Sequence, residues 1–249
     1  MAMTIRNSVG LNGVNDAADA LSVKSRLIEL GFDWLTPDGV IGPITIQTIR
    51  LFQAIKNGFN RVDDQRLDGR VDVGGELSKW LNAVNAPQWQ KMPAGSRAQG
   101  FSNDELADTD DNHDFGTSWL AETIRETAVV YQTSFLISHS GAALIHVNDI
   151  SLPRGGPTPM HATHQAGMCC DIRLPRKDGG AGGITVQDSS YDRASMKAML
   201  KSFWKQKMAS RILLSDEVLV GQGLCIAVTG HHNHAHFEVQ PPPRVMPEE

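Results

Sequence analysis

At 249 residues, with 41% hydrophobic and 20% charged residues and a formal net charge of −5, the chain has the length for two modest domains or one large one. No run of Lys and Arg offers the clustered cations that phosphate binding needs, which sets nucleic acid aside as a partner. No stretch reaches the roughly 20 apolar residues that span a bilayer, which sets membrane insertion aside.

Residues 1–15 are expected to form a flexible lead. They lack the basic start and apolar core of a secretory signal. From Ala17 onward Val23, Leu27 and Leu30 fall at i, i+4 and i+7 before Gly31, the pattern of an amphipathic helix with a glycine stop. A turn-rich loop over 37–43 leads to a second helix carrying Ile49, Phe52 and Ile55. A third short helix is expected from Gly75 to Leu81, after a turn at Asp68-Gly69-Arg70. These elements predict a small three-helix domain over residues 1–84.

Between 85 and 116 the composition shifts to Pro87, Pro93, Gly95 and Gly100 and then to an acidic run from Asn103 to Asp114, which reads as a linker. Asp108, Asp110 and Asn112 have the opening spacing of a calcium loop. The glycine and closing glutamate are missing, so a solvated acidic segment is expected there.

The second half, 117–249, opens with a helix over Ser118 to Tyr131 and a strand near 143–147. A Pro- and Gly-rich loop over 151–163 precedes a strand from Met168 to Leu174. Gly179 to Gly183 suits a surface segment or a lid. A second strong helix covers Tyr191 to Met208, with Met196, Leu200 and Phe203 on one side. Strands follow near 212–214 and 224–228, and the alternation of His234 to Val239 is that of a half-buried strand. The expected class is α+β, the second half being a mainly antiparallel sheet flanked by helices.

Two segments, His161 to Asp171 and Gly230 to His236, hold six of the nine histidines. A catalytic zinc takes three protein ligands, often His or carboxylate, and leaves a fourth corner to water. His164, Asp171 and His236 are the candidate ligands. On a strand, residues i and i+2 share a face with α-carbons roughly 6.5 to 7 Å apart, so His234 stands beside His236 as a candidate base. A buried polar cluster without an ion is the alternative. It would need many compensating hydrogen bonds.

The spacings His-x-x-His-Gln-x-Gly-x-x-x-Asp (His161 to Asp171) and His-x-x-His-x-His (His231 to His236) resemble those of the penicillin-insensitive murein endopeptidases. That family belongs to a wider zinc peptidase group with D-alanyl-D-alanine carboxypeptidases, lysostaphin-type enzymes and the hedgehog amino-terminal domain. The segment Asn148 to Gly156 resembles the loop before the family's first motif. The resemblance spans roughly residues 116–242 and implies one Zn2+ on His164, Asp171 and His236. It also implies a second catalytic histidine at His234 and further active-site histidines at His161 and His231. The last two can equally be donors that orient the ligands. Residues 23–32 and 38–53 are similar to the small peptidoglycan-binding domains appended to wall hydrolases; a helical spacer is the alternative.

Arg154 is a candidate clamp for a carboxylate of the wall peptide, or an exposed loop residue. His139 and His146 read as structural. Three cysteines, Cys169, Cys170 and Cys225, do not make a disulfide framework. Cys169 and Cys170 read as small apolar residues of a core strand, with Cys170 able to compete for the metal.

The resemblance implies a peptidoglycan endopeptidase cleaving the cross-link between D-alanine and diaminopimelate. A carboxypeptidase of the same fold, a non-catalytic zinc-containing wall-binding protein and a cysteine peptidase are the alternatives. The expected partner is peptidoglycan, joined by an immunity protein or secretion machinery if the protein is an antibacterial effector, and the expected state is a monomer. Without an export signal, synthesis in the cytoplasm and release by phage lysis or contact-dependent secretion are expected.

Overall fold

The computed structural model describes residues 3–108, 112–159 and 161–247. The chain is α+β, with a six-stranded, mainly antiparallel sheet, two two-stranded sheets and six helices among the described residues.

Three helices form near the N-terminus where the apolar spacing places them. Helix α1 (Ala17–Glu29) is capped by the Asp16 carboxylate, which accepts from the amides of Ala18 and Asp19. It ends where Gly31 takes φ 92°. Helix α2 (Pro43–Asn57) starts on a proline whose missing amide would be unpaired there in any case. Helix α3 (Glu76–Leu81) is short. The same region also holds a two-stranded sheet of β1 (Val9–Gly10) and β2 (Arg70–Val71).

Residues 85–116 do more than connect. They supply β3 (Trp89–Lys91), β4 (Gly95–Ser96) and β5 (Phe101–Asn103), and β6 (Phe115–Thr117) starts within them. Strands β3 and β6 pair with each other, while β4 and β5 extend the large sheet. The correction has a packing cause, because Trp89 and Phe101 are almost fully buried and anchor β3 and β5 in the core. Trp89 stacks on Phe32 at 6.1 Å and meets Trp34 edge-on at 6.3 Å. Its amide donates to Leu30 O at 2.8 Å, tying β3 to the end of α1. The calcium-like spacing includes Asp110, which lies outside the described residues.

Helix α4 (Ser118–Tyr131) starts under a Thr117 cap and continues into one wide turn, Gln132–Leu136. Strand β7 (Ile145–Asn148) is followed by β8 (Cys169–Arg173). Helix α5 (Arg193–Phe203) is shorter than its apolar spacing predicts, starting at an Asp192 cap. Strand β9 (Ala209–Leu213) is followed by a short helix α6 (Glu217–Gly221), which the apolar pattern does not predict. The strand expected at 224–228 reduces to one bridge between Ile226 and Leu213. Strand β10 (His234–Val239) falls where expected.

The sheet order β4-β5-β7-β8-β10-β9 puts the two histidine segments on adjacent central strands. The β8 and β10 pairing is antiparallel, with Arg173 opposite His234, Asp171 opposite His236 and Cys169 opposite Glu238. Because side chains alternate across a strand, these six share one face. Cys170, Ile172, Ala235 and Phe237 project to the other face and join the hydrophobic core, where Phe237 meets Phe203 of α5 at 4.4 Å. One side of the sheet is thus a core face, and the other is a polar floor.

Candidate metal centre

His164 arrives on the loop before β8 with φ 63°, a left-handed conformation uncommon for a residue with a β-carbon. That bend turns its ring down onto the polar face. Its neighbour Gln165 holds the bend from several sides. The Gln165 amide donates to Asn60 O at 3.2 Å, and its side-chain oxygen accepts from the Val62 amide at 3.1 Å. Its carbonyl accepts from Gly156 N at 2.8 Å. The loop after α2 therefore braces the first histidine segment.

His164, Asp171 and His236 converge and are all buried. His236 Nδ1 lies 2.8 Å from Asp171 Oδ1 and 3.0 Å from His164 Nε2, and His164 Nε2 lies 3.3 Å from the same carboxylate oxygen. His164 Nδ1 donates to Ile150 O at 3.0 Å, which turns its Nε2 inward, and both His236 nitrogens face carboxylates, Nδ1 on Asp171 and Nε2 on Glu238 Oε1 at 3.2 Å. Two imidazole nitrogens and a carboxylate oxygen therefore converge on one point, an arrangement that is repulsive unless a cation or protons lie between them.

Donors bound at the usual zinc distances on a tetrahedron stand roughly 3.3 to 3.4 Å apart. The observed triangle, 2.8 to 3.3 Å on its edges, is tighter than that, and its donors would have to part by about half an ångström to hold a small divalent ion. His164, Cys169 and His236 form one grouping able to hold a metal, and His161, His164 and Asp171 form another.

Protonation obeys the same geometry. Burial alone pushes His164 down, but negative Cys169 and Asp171 beside it outweigh burial and lift it to about 10. His236 is likewise raised well above the usual imidazole range against the pull of burial. Asp171 is held far below the carboxylate range despite its burial, because both imidazoles donate to it. Protons fill the triangle when no metal does, and a metal must displace them.

Around this set, Glu238 is locked by Arg211, with Nε and Nη2 at 2.9 and 2.5 Å from its two oxygens. His234 Nε2 stands 3.6 Å from Asp171 Oδ2, while its Nδ1 donates to Asn233 Oδ1 at 2.8 Å. That leaves the Nε2 lone pair turned toward the centre. Burial keeps His234 below the ordinary imidazole value, and His231 moves the same way for the same reason. The His231 ring lies 4.9 Å from that of His234 and 5.8 Å from that of His236. The His161 ring lies 4.5 Å from that of His164, and its Nε2 is 3.7 Å from Asp149 Oδ1.

A groove of about 490 Å³ opens over the centre, its walls including Asp149, His161, Asp171, Arg173, Gly182 and His234. The glycine-rich insert expected as a surface or lid segment is thus one wall of this groove.

The structure gathers His161, His164, Asp171, His231, His234 and His236 into one place. Arg154 is not among them: it is exposed and does not line the groove. The guanidinium in the groove is that of Arg173, whose Nε is 3.1 Å from Asp104 Oδ2. His146 meets Asp104 at 3.0 Å, and His139 stacks on Phe135 at 4.1 Å, so both serve local structure. The cysteine on the metal face is Cys169, and Cys170 points into the core. Three neighbours are not legible in the sequence as site residues. Asp149 faces His161, Glu238 orients His236, and His113 meets His161 edge-on at 5.5 Å. Two-residue periodicity along β10 is the available signal for Glu238, and none exists for His113.

No protein-family model and no curated protein matches the sequence.

Proposed function

We propose that this chain is a zinc-dependent peptidoglycan endopeptidase that hydrolyses the amide between D-alanine and diaminopimelate in cross-linked stem peptides. The observation that carries the proposal is the buried convergence of His164 Nε2, His236 Nδ1 and Asp171 Oδ1 within 2.8 to 3.3 Å of one another, beside an open groove that Asp171 lines. The motif spacing supplies the reaction class.

His164, Asp171 and His236 would hold the ion. When bound it supplies a Lewis acid that brings a water's pKa toward neutrality and draws electron density from a scissile carbonyl. The chain's own groups do the rest. His234, kept neutral by burial and aimed by Asn233, takes the proton of the attacking water and returns it to the leaving amine. His161, beside His164, and His231, beside His234 and His236, are the groups that would stabilise a developing oxyanion. Arg173, steadied by Asp104, presents a guanidinium to the free carboxylates that a stem peptide carries. The helices α1 to α3 act as a wall-adhering unit that raises the local concentration of a polymeric substrate. An enzyme of this kind meets its substrate outside the cytoplasm.

The cysteine-peptidase alternative is disfavoured by burial, since Cys169 and Cys170 have no exposed surface and neither lines the groove. Carboxypeptidase action on terminal D-alanine is the nearest rival. Digestion of purified sacculi with and without a chelator separates the readings. Cross-linked dimers converted to monomers, with the conversion stopped by chelation, support the endopeptidase. Loss of terminal D-alanine with dimers intact assigns the carboxypeptidase. No released product in the metal-loaded state removes the hydrolase reading.

A further inference from the structure

Cys169 and Cys170 are adjacent and equally buried, yet they live in different surroundings. Cys170 opposes Phe237 and belongs to the hydrophobic core. Cys169 is outside that core and lies two residues before Asp171, on the same face of β8. Its partner across the ladder is Glu238, which donates no apolar surface and is itself bound to His236 and Arg211. The Cys169 Sγ and ligand nitrogens of His164 and His236 lie within 4.8 Å of one another, all three side chains being buried. A small apolar filler has no reason to lie within reach of two imidazole nitrogens, whereas a sulfur donor to a shared cation does.

From this we infer that Cys169 is a fourth protein ligand of the metal centre, giving a His-His-Asp-Cys donor set that favours zinc, cobalt and cadmium over magnesium and manganese. The inference rests on the metal reading of His164, Asp171 and His236. Cys169 has no exposed surface, whereas Asp171 lines the groove, so a sulfur ligand would leave the groove side open to water and substrate. Catalytic zinc centres sometimes expand to five-coordination, which would let a buried sulfur ligand and a water coexist. Soft sulfur also explains the expected metal preference, because hard cations gain little from it.

Cobalt(II) and zinc(II) loading of the purified full chain tests the assignment without using activity. With one cobalt per chain, the wild-type protein and Cys170→Ser should show an intense near-ultraviolet thiolate-to-cobalt absorption. Cys169→Ser should lose that band, keep weaker visible ligand-field absorption, and bind zinc at least tenfold more weakly. X-ray absorption of the zinc-loaded wild type should contain one sulfur neighbour at roughly 2.3 Å. It should persist in Cys170→Ser and Cys225→Ser, so the assignment holds even if Cys169→Ser does not fold. One metal bound with only nitrogen and oxygen neighbours overturns this inference and leaves the metal reading standing. Failure to bind zinc or cobalt stoichiometrically overturns both.

Discussion

His236 and Asp171 face each other across β10 and β8, with Nδ1 2.8 Å from Oδ1, and this one cross-strand pair joins the two halves of the centre. Removing either side opens the triangle and leaves a buried charge without its partner. Asp171→Ala and His236→Ala should therefore retain no stoichiometric zinc by elemental analysis. For the wild type, zinc at a thousandfold over Kd adds about 4 kcal/mol of stability by mass action. In a chain of this size that raises the melting temperature by roughly 10 °C. Calorimetry should show this rise in the wild type and none in either variant. A full zinc-dependent rise in Asp171→Ala would remove the aspartate from the ligand set.

On the proposed reading His234 is the base, its Nε2 lying 3.6 Å from Asp171 Oδ2. His234→Gln should bind zinc as the wild type does and lose about 10² to 10⁴ in kcat on cross-linked muropeptide. Burial holds this imidazole below 6.5, so its neutral form dominates at pH 7. The acid limb of the rate profile should accordingly fall below pH 6.5 and be absent from the residual rate of the variant. Zinc lost together with activity would instead place His234 among the ligands.

The elements that place the site are readable because two-residue and 3.6-residue periodicities survive in β10, α1, α2 and α4. His164, Asp171 and His236 are readable because clustered histidine and aspartate at fixed spacing is rare without a chemical cause. The features that escape depend on contacts distant in sequence. Trp89 anchors a segment whose prolines and acids read as a linker, and nothing local says that its indole will donate to Pro153 O at 2.8 Å. Arg154 sits in the Pro- and Gly-rich loop that resembles the one before the family's first motif, but it is exposed there, while the β8 register lays Arg173 beside His234. Strict alternation along β8 places Cys169, and not Cys170, on the face of Asp171, so the expectation that Cys170 competes for the metal neglects period two.

Acid stability of the metal-free protein is set by its carboxylates. Burial opposes ionisation of Asp171, Glu238 and Asp149, yet neighbouring imidazoles, and Arg211 for Glu238, hold all three below their ordinary values of 3.8, 4.5 and 3.8. Groups depressed in the folded state bind fewer protons there than when unfolded. Their stabilisation is thus complete above those ordinary values and is lost as pH falls through the folded ones. The melting temperature of chelated protein should begin to fall below about pH 4.5. Asp171→Asn should start lower and fall less steeply. An unchanged slope in Asp171→Asn would show that its ion pairs do not contribute.

Gln165 links the metal loop to the region after α2 through its amide to Asn60 O and its side-chain oxygen to the Val62 amide. The neighbouring His164 has φ 63°, a conformation the surroundings must enforce at a cost of order 1 to 3 kcal/mol. Gln165→Ala removes one clamp and leaves the Val62 amide without its acceptor, for a loss of about 1 to 3 kcal/mol in global stability. Because the His164 ring is aimed by that loop, zinc affinity should also fall about 10- to 100-fold, as when other groups behind a metal ligand are removed. Val62→Pro deletes the same hydrogen bond from the other partner and should weaken zinc by a comparable factor with every ligand intact. Isothermal titration of both variants decides the matter: wild-type affinity in each would mean that the first helical region adheres to the centre without shaping it.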